Sequence, residues 1–454
     1  MAKGNTRALT IRLALACCLS APPAGWAIEP QLTLQQLHHT AWLRRDGAPG
    51  ELGALAATRD GYLWMASSDG LVRFDGSRFE LYRPLRGELP ERDASVLTAA
   101  PGGGLWIGWS IGGASLLRDG AVRNFTAADG LQKGTVWGFA FDQQGGVWAA
   151  GMNGLSRYDG ARWQQMGAQH GFTARKASAV FVDRHGTVAA FSEQGLFLMP
   201  KGAARFNPPI GKLDTRQPPQ QDRHGRIYFL ERRGIRLLDS LERYEDDSAW
   251  VYRDPAGESG SMLADSHGTL WFDGKDRLYR LSEPAAARAA PGQMLAPRTQ
   301  AYGQGEGLSG SVVHSMLEDD SGTVWIATNK GLDRFRRAAL AAVPASAPGV
   351  NLSGAGLLPA GGDGMWLGMP SKNFPWTLAR PDATFWQAQP PLPVAVSAAL
   401  RGQGGELWLG GRAGVYRLEA GRENSRGGVF RYSGGQWSRD GRLAPSSMAM
   451  RLSM

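Results

Sequence analysis

The side chains of this sequence that could do chemistry are carboxylates, imidazoles and aromatics beside cations. Glu318-Asp319-Asp320, and Glu91 with Asp93, offer neighbouring carboxylates. Two carboxyl groups facing each other across a sugar can serve as acid and as base or nucleophile. Adjacency along the chain does not make them face one another, and Asp319 has a competing use as a turn residue. His185, His224 and His267 are zinc ligands by type. No Ser-His-Asp elbow, Gly-rich phosphate loop or Cys/His cluster accompanies them.

The elements that position these groups follow from an internal repeat, the first thing to seek in a chain of this length. Tryptophans behind a Gly-containing turn recur at 64, 106, 148, 271, 325, 366 and 408, with 42 residues between the first three and between the last two. Two degenerate copies fill the long gap, with Ala189 and Tyr228 at the Trp position. In the third copy Val136 to Phe141 is an apolar strand and Asp142-Gln143-Gln144-Gly145 a turn. Val147 to Ala150, Leu155 to Tyr158 and Arg162-Trp163 are three further strands. Four antiparallel strands in about 42 residues is one propeller blade. The turn places Asp first and Gly fourth, as a type I turn prefers, and Asp183/Gly186, Asp222/Gly225, Asp265/Gly268 and Asp319/Gly322 repeat it. A Gly six residues past the Trp position (70, 112, 154, 195, 234, 331, 414) is expected at positive φ in the next turn. Asp75-Gly76 and Asp119-Gly120 are hairpin signals between third and fourth strands.

The seventh copy ends at Phe335 without a fourth strand, and a lone segment, His39 to Gly47, precedes the first copy. It is patterned like the fourth strand and exit Asn124 to Gly130. The N-terminal strand is therefore expected to complete blade seven and close the ring, leaving no open sheet edge. The reading is all-β: a seven-bladed β-propeller of four-stranded antiparallel blades over 36–337, a linker at 338–350, and a partial second propeller at 351–454. That last part holds two blades and, at Ser446 to Met454, the start of a third. Gly361-Gly362-Asp363-Gly364 resembles the opening of a cyclase signature but falls at the turn before Trp366, and is read as a turn.

Lys3, Arg7 and Arg12, the apolar run Leu13 to Leu19 and small residues up to Ala27 read as a signal peptide over 1–27, cleaved near Ala27. An uncleaved anchor is the alternative; the run is short for a bilayer. Cys17 and Cys18, the only cysteines, lie inside this leader, so the mature chain is expected to have no disulfide. The net charge of +9 falls to +6 without the leader's three cations and is interspersed, which argues against nucleic acid and for solubility or an acidic partner. The expected location is periplasmic or secreted.

Several of these segments resemble the two-component regulator propeller repeat. Asp319-Asp320-Ser321-Gly322-Thr323-Val324-Trp325-Ile326-Ala327-Thr328 follows its pattern, as do Asp60-Gly61-Tyr62-Leu63-Trp64 and Gly70-Leu71-Val72-Arg73-Phe74-Asp75-Gly76. The likeness runs over about 36–440. It implies the periplasmic ligand-binding sensor region of a histidine kinase or diguanylate cyclase, here truncated and without its own output domain.

Within that architecture, loops leading into the innermost strands and turns between second and third strands gather on one face. They bring Arg92, Trp109, Trp137, Asn153, Arg175, Lys176, Arg232, Arg233, His314, Asn329 and Lys330 to the mouth of the channel. Aromatics beside cations and amides suit a small polar or acidic ligand such as a glycan fragment. The three turn histidines sit on successive blades that point radially, too far apart for bonds of about 2.1 Å to one metal, and are read as solvated. No cofactor, metal or catalytic residue is expected. The expected partners are that ligand and a membrane sensor or another propeller chain. A propeller enzyme acting on glycans, as lyase or glycosidase, and a structural or adhesion propeller are the alternatives.

Overall fold

A computed structural model describes residues 28–338, except 29, 31, 91–92, 212–214, 216, 245–249, 254–258, 283 and 285–298, together with the backbone of the strands between 356 and 440. The leader, Cys17, Cys18, Glu91, Arg92, the linker beyond 338, Gly362, Asp363 and Ser446 to Met454 lie outside the described residues. Two compact units are distinguished: one holds His39–Arg337, the other Ala338–Met454 with Glu29–His38.

The first unit is a seven-bladed ring of antiparallel sheets. Blades 1 to 6 span 52–81, 94–125, 136–166, 179–210, 220–253 and 262–302, each running from the channel outward in chain order. Blade 7 consists of Val313–Glu318, Val324–Thr328 and Gly331–Arg337, with Leu37–Leu43 as its outermost strand. The N-terminal strand thus closes the ring, and the first strand of blade 7 lies beside that of blade 1. After Leu37–Leu43 the short 3-10 turn Arg44–Asp46 ends at Gly47 in the left-handed region. Ala127–Asp129 with Gly130 repeats that exit in blade 2.

Each gap between blades carries its own core. Trp106, Phe125, Phe139, Tyr158 and Trp163 pack between blades 2 and 3. Leu55, Met65, Phe74, Trp325 and Leu332 join blades 7 and 1, with Trp42 stacked 5.9 Å from Trp325. Large rings fill these gaps because neighbouring blades diverge outward, and each ring buries roughly 150–250 Å².

The repeated Asp does more than start a turn. In blade 3 Asp142 Oδ1 accepts the N–H groups of Gln144 and Gly146, while Oδ2 accepts Trp148 Nε1 at 3.0 Å and Arg157 Nε at 2.9 Å. Trp271 donates likewise to Asp265, Trp325 to Asp319, and the Tyr228 hydroxyl to Asp222. Blade 1 substitutes the Thr58 hydroxyl, 2.8 Å from Trp64 Nε1. Opposite each of Trp64, Trp148, Trp271 and Trp325 stands an arginine on the third strand: Arg73, Arg157, Arg280 and Arg334. Burial pushes the Asp142 carboxyl up, but the bonds from Arg157, Gly146 and Trp148 outweigh it and hold the group below the usual range. Asp265 is buried more deeply, and there burial wins and raises it. Burial also lowers Arg280, which lies over Trp271, to about 10.

Two expectations are corrected. Blade 4 has three strands rather than four; the fourth is reduced to the Leu196–Ile210 bridge and the bond from Asn207 N–H to Leu198 O. Pro208 and Pro209 lie in that segment and have no N–H to extend the ladder. Gly331 does not adopt positive φ, unlike its counterparts at 70, 112, 154, 195 and 234. Its need is room: a Cβ there would stand 2.2 Å from Trp42 O on the closing strand.

The second unit holds two sheets. Gly356–Gly361, Gly364–Gly368, Pro375–Leu378 and Gln387–Ala388 form one, with Trp366 opposite Thr377. Val396–Arg401, Leu407–Gly411, Gly414–Leu418, Val429–Ser433 and Gln436–Asp440 form the other, with Trp408 opposite Arg417. Among the described residues no helix is long and apolar enough to cross a membrane.

Candidate functional site

In every blade the loop leading into the innermost strand is tied to that blade's own turn between second and third strands. Gly50 N–H bonds Asp69, Ser110 N–H bonds Asp93 O, and Met152 N–H bonds Thr135 O. Arg175 N–H bonds Glu193, Thr215 bridges Glu231, Gly260 N–H bonds Asp273, and Asn329 N–H bonds Val312 O. Both sets of segments therefore share one face of the ring.

The innermost strands of blades 2, 3 and 7 each carry an irregularity at the end nearest this face, at Ala94/Val96, Val136/Gly138 and Val313/Ser315. An extra residue in a strand opposes no partner and is re-aimed. The residues so released are Ser95, Trp137 and His314. The Ser95 hydroxyl donates to Val136 O at 2.5 Å and joins blades 2 and 3. Trp137 is half-buried and His314 exposed. Among the described residues neither ring is hydrogen-bonded or stacked. The structure thus leaves an indole on blade 3 and an imidazole on blade 7 at the strand ends nearest this face.

The remaining expected residues divide. Arg175, Lys176, Arg232, Arg233 and Lys330 are exposed on the same face, spread over blades 4, 5 and 7. Asn153 and Asn329 also lie there, but their amides hold loops: Asn153 Nδ2 donates to Lys133 O, and Asn329 Oδ1 accepts from Ser311 and Val312 N–H. Trp109 is buried, 3% exposed, and its indole donates to Ser115 at 2.8 Å, so it serves blade 2 rather than a ligand.

Of the carboxylates considered for catalysis, Glu318 and Asp319 are engaged at the opposite face, whereas Asp93 lies on the mouth face, where its carbonyl accepts Ser110 N–H. Glu318 accepts both the N–H and the hydroxyl of Ser266 on blade 6, and burial raises its carboxyl above the usual range. Asp319 holds its own turn and Trp325. Among the described residues no group of three or more His, Cys, Asp or Glu could hold a metal.

A cluster the sequence did not announce lies beneath the closing strand. Asp333, fully buried, accepts His39 Nε2 at 2.8 Å, Ser309 N–H at 3.0 Å and the Ser309 hydroxyl. Ser309 in turn meets Thr328 at 2.6 Å, and His39 stacks on Phe335. The carboxylate sits between hydroxyl and imidazole, so the imidazole cannot take the hydroxyl proton; the cluster is a clasp for the ring.

Residues 307–330 match the family model described as "Two component regulator propeller". The chain carries this repeat. The matched stretch runs from the loop of the clasp through the first two strands of blade 7 and includes His314, Asn329 and Lys330. No curated protein matches the chain. Among solved structures the chain is similar to the extracellular domain of a putative hybrid two component system from B. thetaiotaomicron. Identity is 15%, the TM-score 0.50, and coverage 84% of this chain and 55% of that one. The extracellular domain of a putative one component system from the same organism gives 14% identity and 0.51, covering 85% and 53%. A virginiamycin B lyase from Staphylococcus aureus gives 12% identity and 0.50, covering 66% and 99%. At these identities the likeness is one of fold. The chain spans about half the length of the two extracellular domains.

Proposed function

We propose that this propeller is the exported, ligand-binding sensor part of a two-component signalling system and acts without catalysis. The observation that carries the reading is the pair of released rings, Trp137 and His314, at the mouth of a ring whose repeat is that of two-component regulators. Trp137 offers a flat apolar surface, His314 a donor or acceptor, and Arg175, Lys176, Arg232 and Lys330 a cationic rim. That combination fits a small ligand with one stackable face and polar or acidic substituents, such as a glycan fragment. Glu318 and Asp319 are engaged at the other face, away from these two rings, which supports binding over turnover. The leader-like N-terminal sequence and the extracellular origin of the similar domains support a periplasmic or secreted location. A screen of acidic and neutral oligosaccharides by intrinsic fluorescence tests the reading. Saturable binding that is lost in Trp137→Ala is expected; ligand consumption, or binding indifferent to Trp137, would contradict it.

A further inference from the structure

Two adjacent blades carry the same exposed dipeptide at the turn between first and second strands: Asp183-Arg184-His185-Gly186 in blade 4 and Asp222-Arg223-His224-Gly225 in blade 5. The turn itself uses only Asp and Gly: Asp183 Oδ1 accepts His185 and Thr187 N–H, and Asp222 Oδ1 accepts His224 and Arg226 N–H. Arginine and histidine at the middle positions are not required by the fold. Blade 3 has two glutamines there.

The two turns form one surface. Arg184 reaches across to blade 5, where a Cβ on Gly225 would lie 2.0 Å from its guanidinium carbon. Its backbone is held from both sides, N–H by Gln221 and carbonyl by Gln143. Lys201 lies over Gly186, 3.2 Å from a Cβ there. Arg184, Arg223 and Lys201 are exposed. The nearby Asp222 is matched by Arg226 at 2.7 Å, which leaves Asp183 as the carboxylate facing this strip.

Each arginine donates Nε–H to the imidazole Nε2 beside it, Arg184 to His185 at 3.2 Å and Arg223 to His224 at 3.1 Å. These bonds hold the two guanidinium groups along the strip.

We infer that this strip of blades 4 and 5 docks the propeller, turn face down, onto the anionic headgroups of a membrane surface. The cations stand on the tips of convex turns, which cannot enclose a small molecule but can meet a plane of phosphates. The inference is independent of the ligand at the mouth.

The test is sedimentation of the protein with vesicles of phosphatidylglycerol and phosphatidylethanolamine, against phosphatidylcholine alone, at pH 7.5. Each exposed cation near such a surface contributes roughly fivefold to partitioning. The combined Arg184→Ala, Arg223→Ala and Lys201→Ala change is therefore expected to lose on the order of a hundredfold. Arg44→Ala, Arg45→Ala and Lys133→Ala remove the same charge from the mouth face and are expected to leave binding unchanged; circular dichroism checks both folds. Absence of vesicle binding, equal binding to phosphatidylcholine, or equal losses in the two triple variants would overturn the inference. So would abolition of binding by millimolar inorganic phosphate at constant ionic strength, which would point to a free anion.

Discussion

Asp333→Ala removes the acceptor that holds the closing strand. Its side chain is fully buried and faces three donors: His39 Nε2, Ser309 N–H and the Ser309 hydroxyl. A buried donor left without its acceptor costs about 1–3 kcal/mol. The donors share one carboxylate and relax together, so about 4 kcal/mol is expected rather than the sum. At about 2 °C per kcal/mol for a ring of this size, that is a fall of roughly 8 °C in Tm. Asp239→Ala is the control: its partner Arg243 is 3.6 Å away, and both side chains are well exposed, so less than about 1 kcal/mol is expected. Calorimetry gives the shift, and limited proteolysis shows whether 37–43 becomes cleavable first. A double cycle with His39→Ala should return a coupling of about 1.5–3 kcal/mol. An Asp333→Ala protein melting within 2 °C of the parent, or no lower than Asp239→Ala, would refute the clasp.

Other perturbations have opposite or graded signs. Glu318 has a carboxyl raised by burial, so its ionisation disfavours the folded state: its contribution is fully present below the ordinary glutamate range and is lost as pH rises through the raised value. Glu318→Gln should therefore gain on the parent in urea unfolding at pH 7 relative to pH 4, and a gap that widens on acidification would contradict this. Trp271→Phe leaves one oxygen of buried Asp265 without its indole donor and should cost about 1–3 kcal/mol by denaturant titration. Gly234→Ala places a Cβ 2.1 Å from Tyr252 O at φ 127°, whereas a Cβ on Gly160, φ 102°, meets nothing within 4 Å. Gly160→Ala should cost about 1–2 kcal/mol, and Gly234→Ala clearly more, by the same titration.

The blades were legible because one position per copy must fill a diverging gap with a large ring, and the spacing of Trp64, Trp106 and Trp148 records it. Closure was legible because His39 to Gly47 carries the exit pattern of a fourth strand. The Asp–Trp–Arg arrangement was missed, although its signal is in the chain: an arginine stands nine residues after Trp64, Trp148, Trp271, Trp325 and Trp408. Pro208-Pro209 is an equally visible signal for the reduced fourth strand of blade 4. At the mouth, sequence gave the correct face but not the orientation of side chains. Trp109 turns inward to Ser115, and Asn153 and Asn329 hold backbone, because polar side chains near loops satisfy local N–H and C=O groups first. The irregularities that release Trp137 and His314 have no residue signature, since a strand irregularity is set by pairing across the sheet. The clasp joins residues almost three hundred positions apart, beyond any local pattern.

The most direct test of the sensor account is amide hydrogen exchange of the full chain with and without the tightest ligand from the oligosaccharide screen. Protection is predicted at the mouth, around Ser110, Met152, Val312 and Asn329, and its loss in Trp137→Ala with His314→Ala. Protection confined to the opposite turns, around Gly145, Gly186, Gly225 and Gly322, would contradict it.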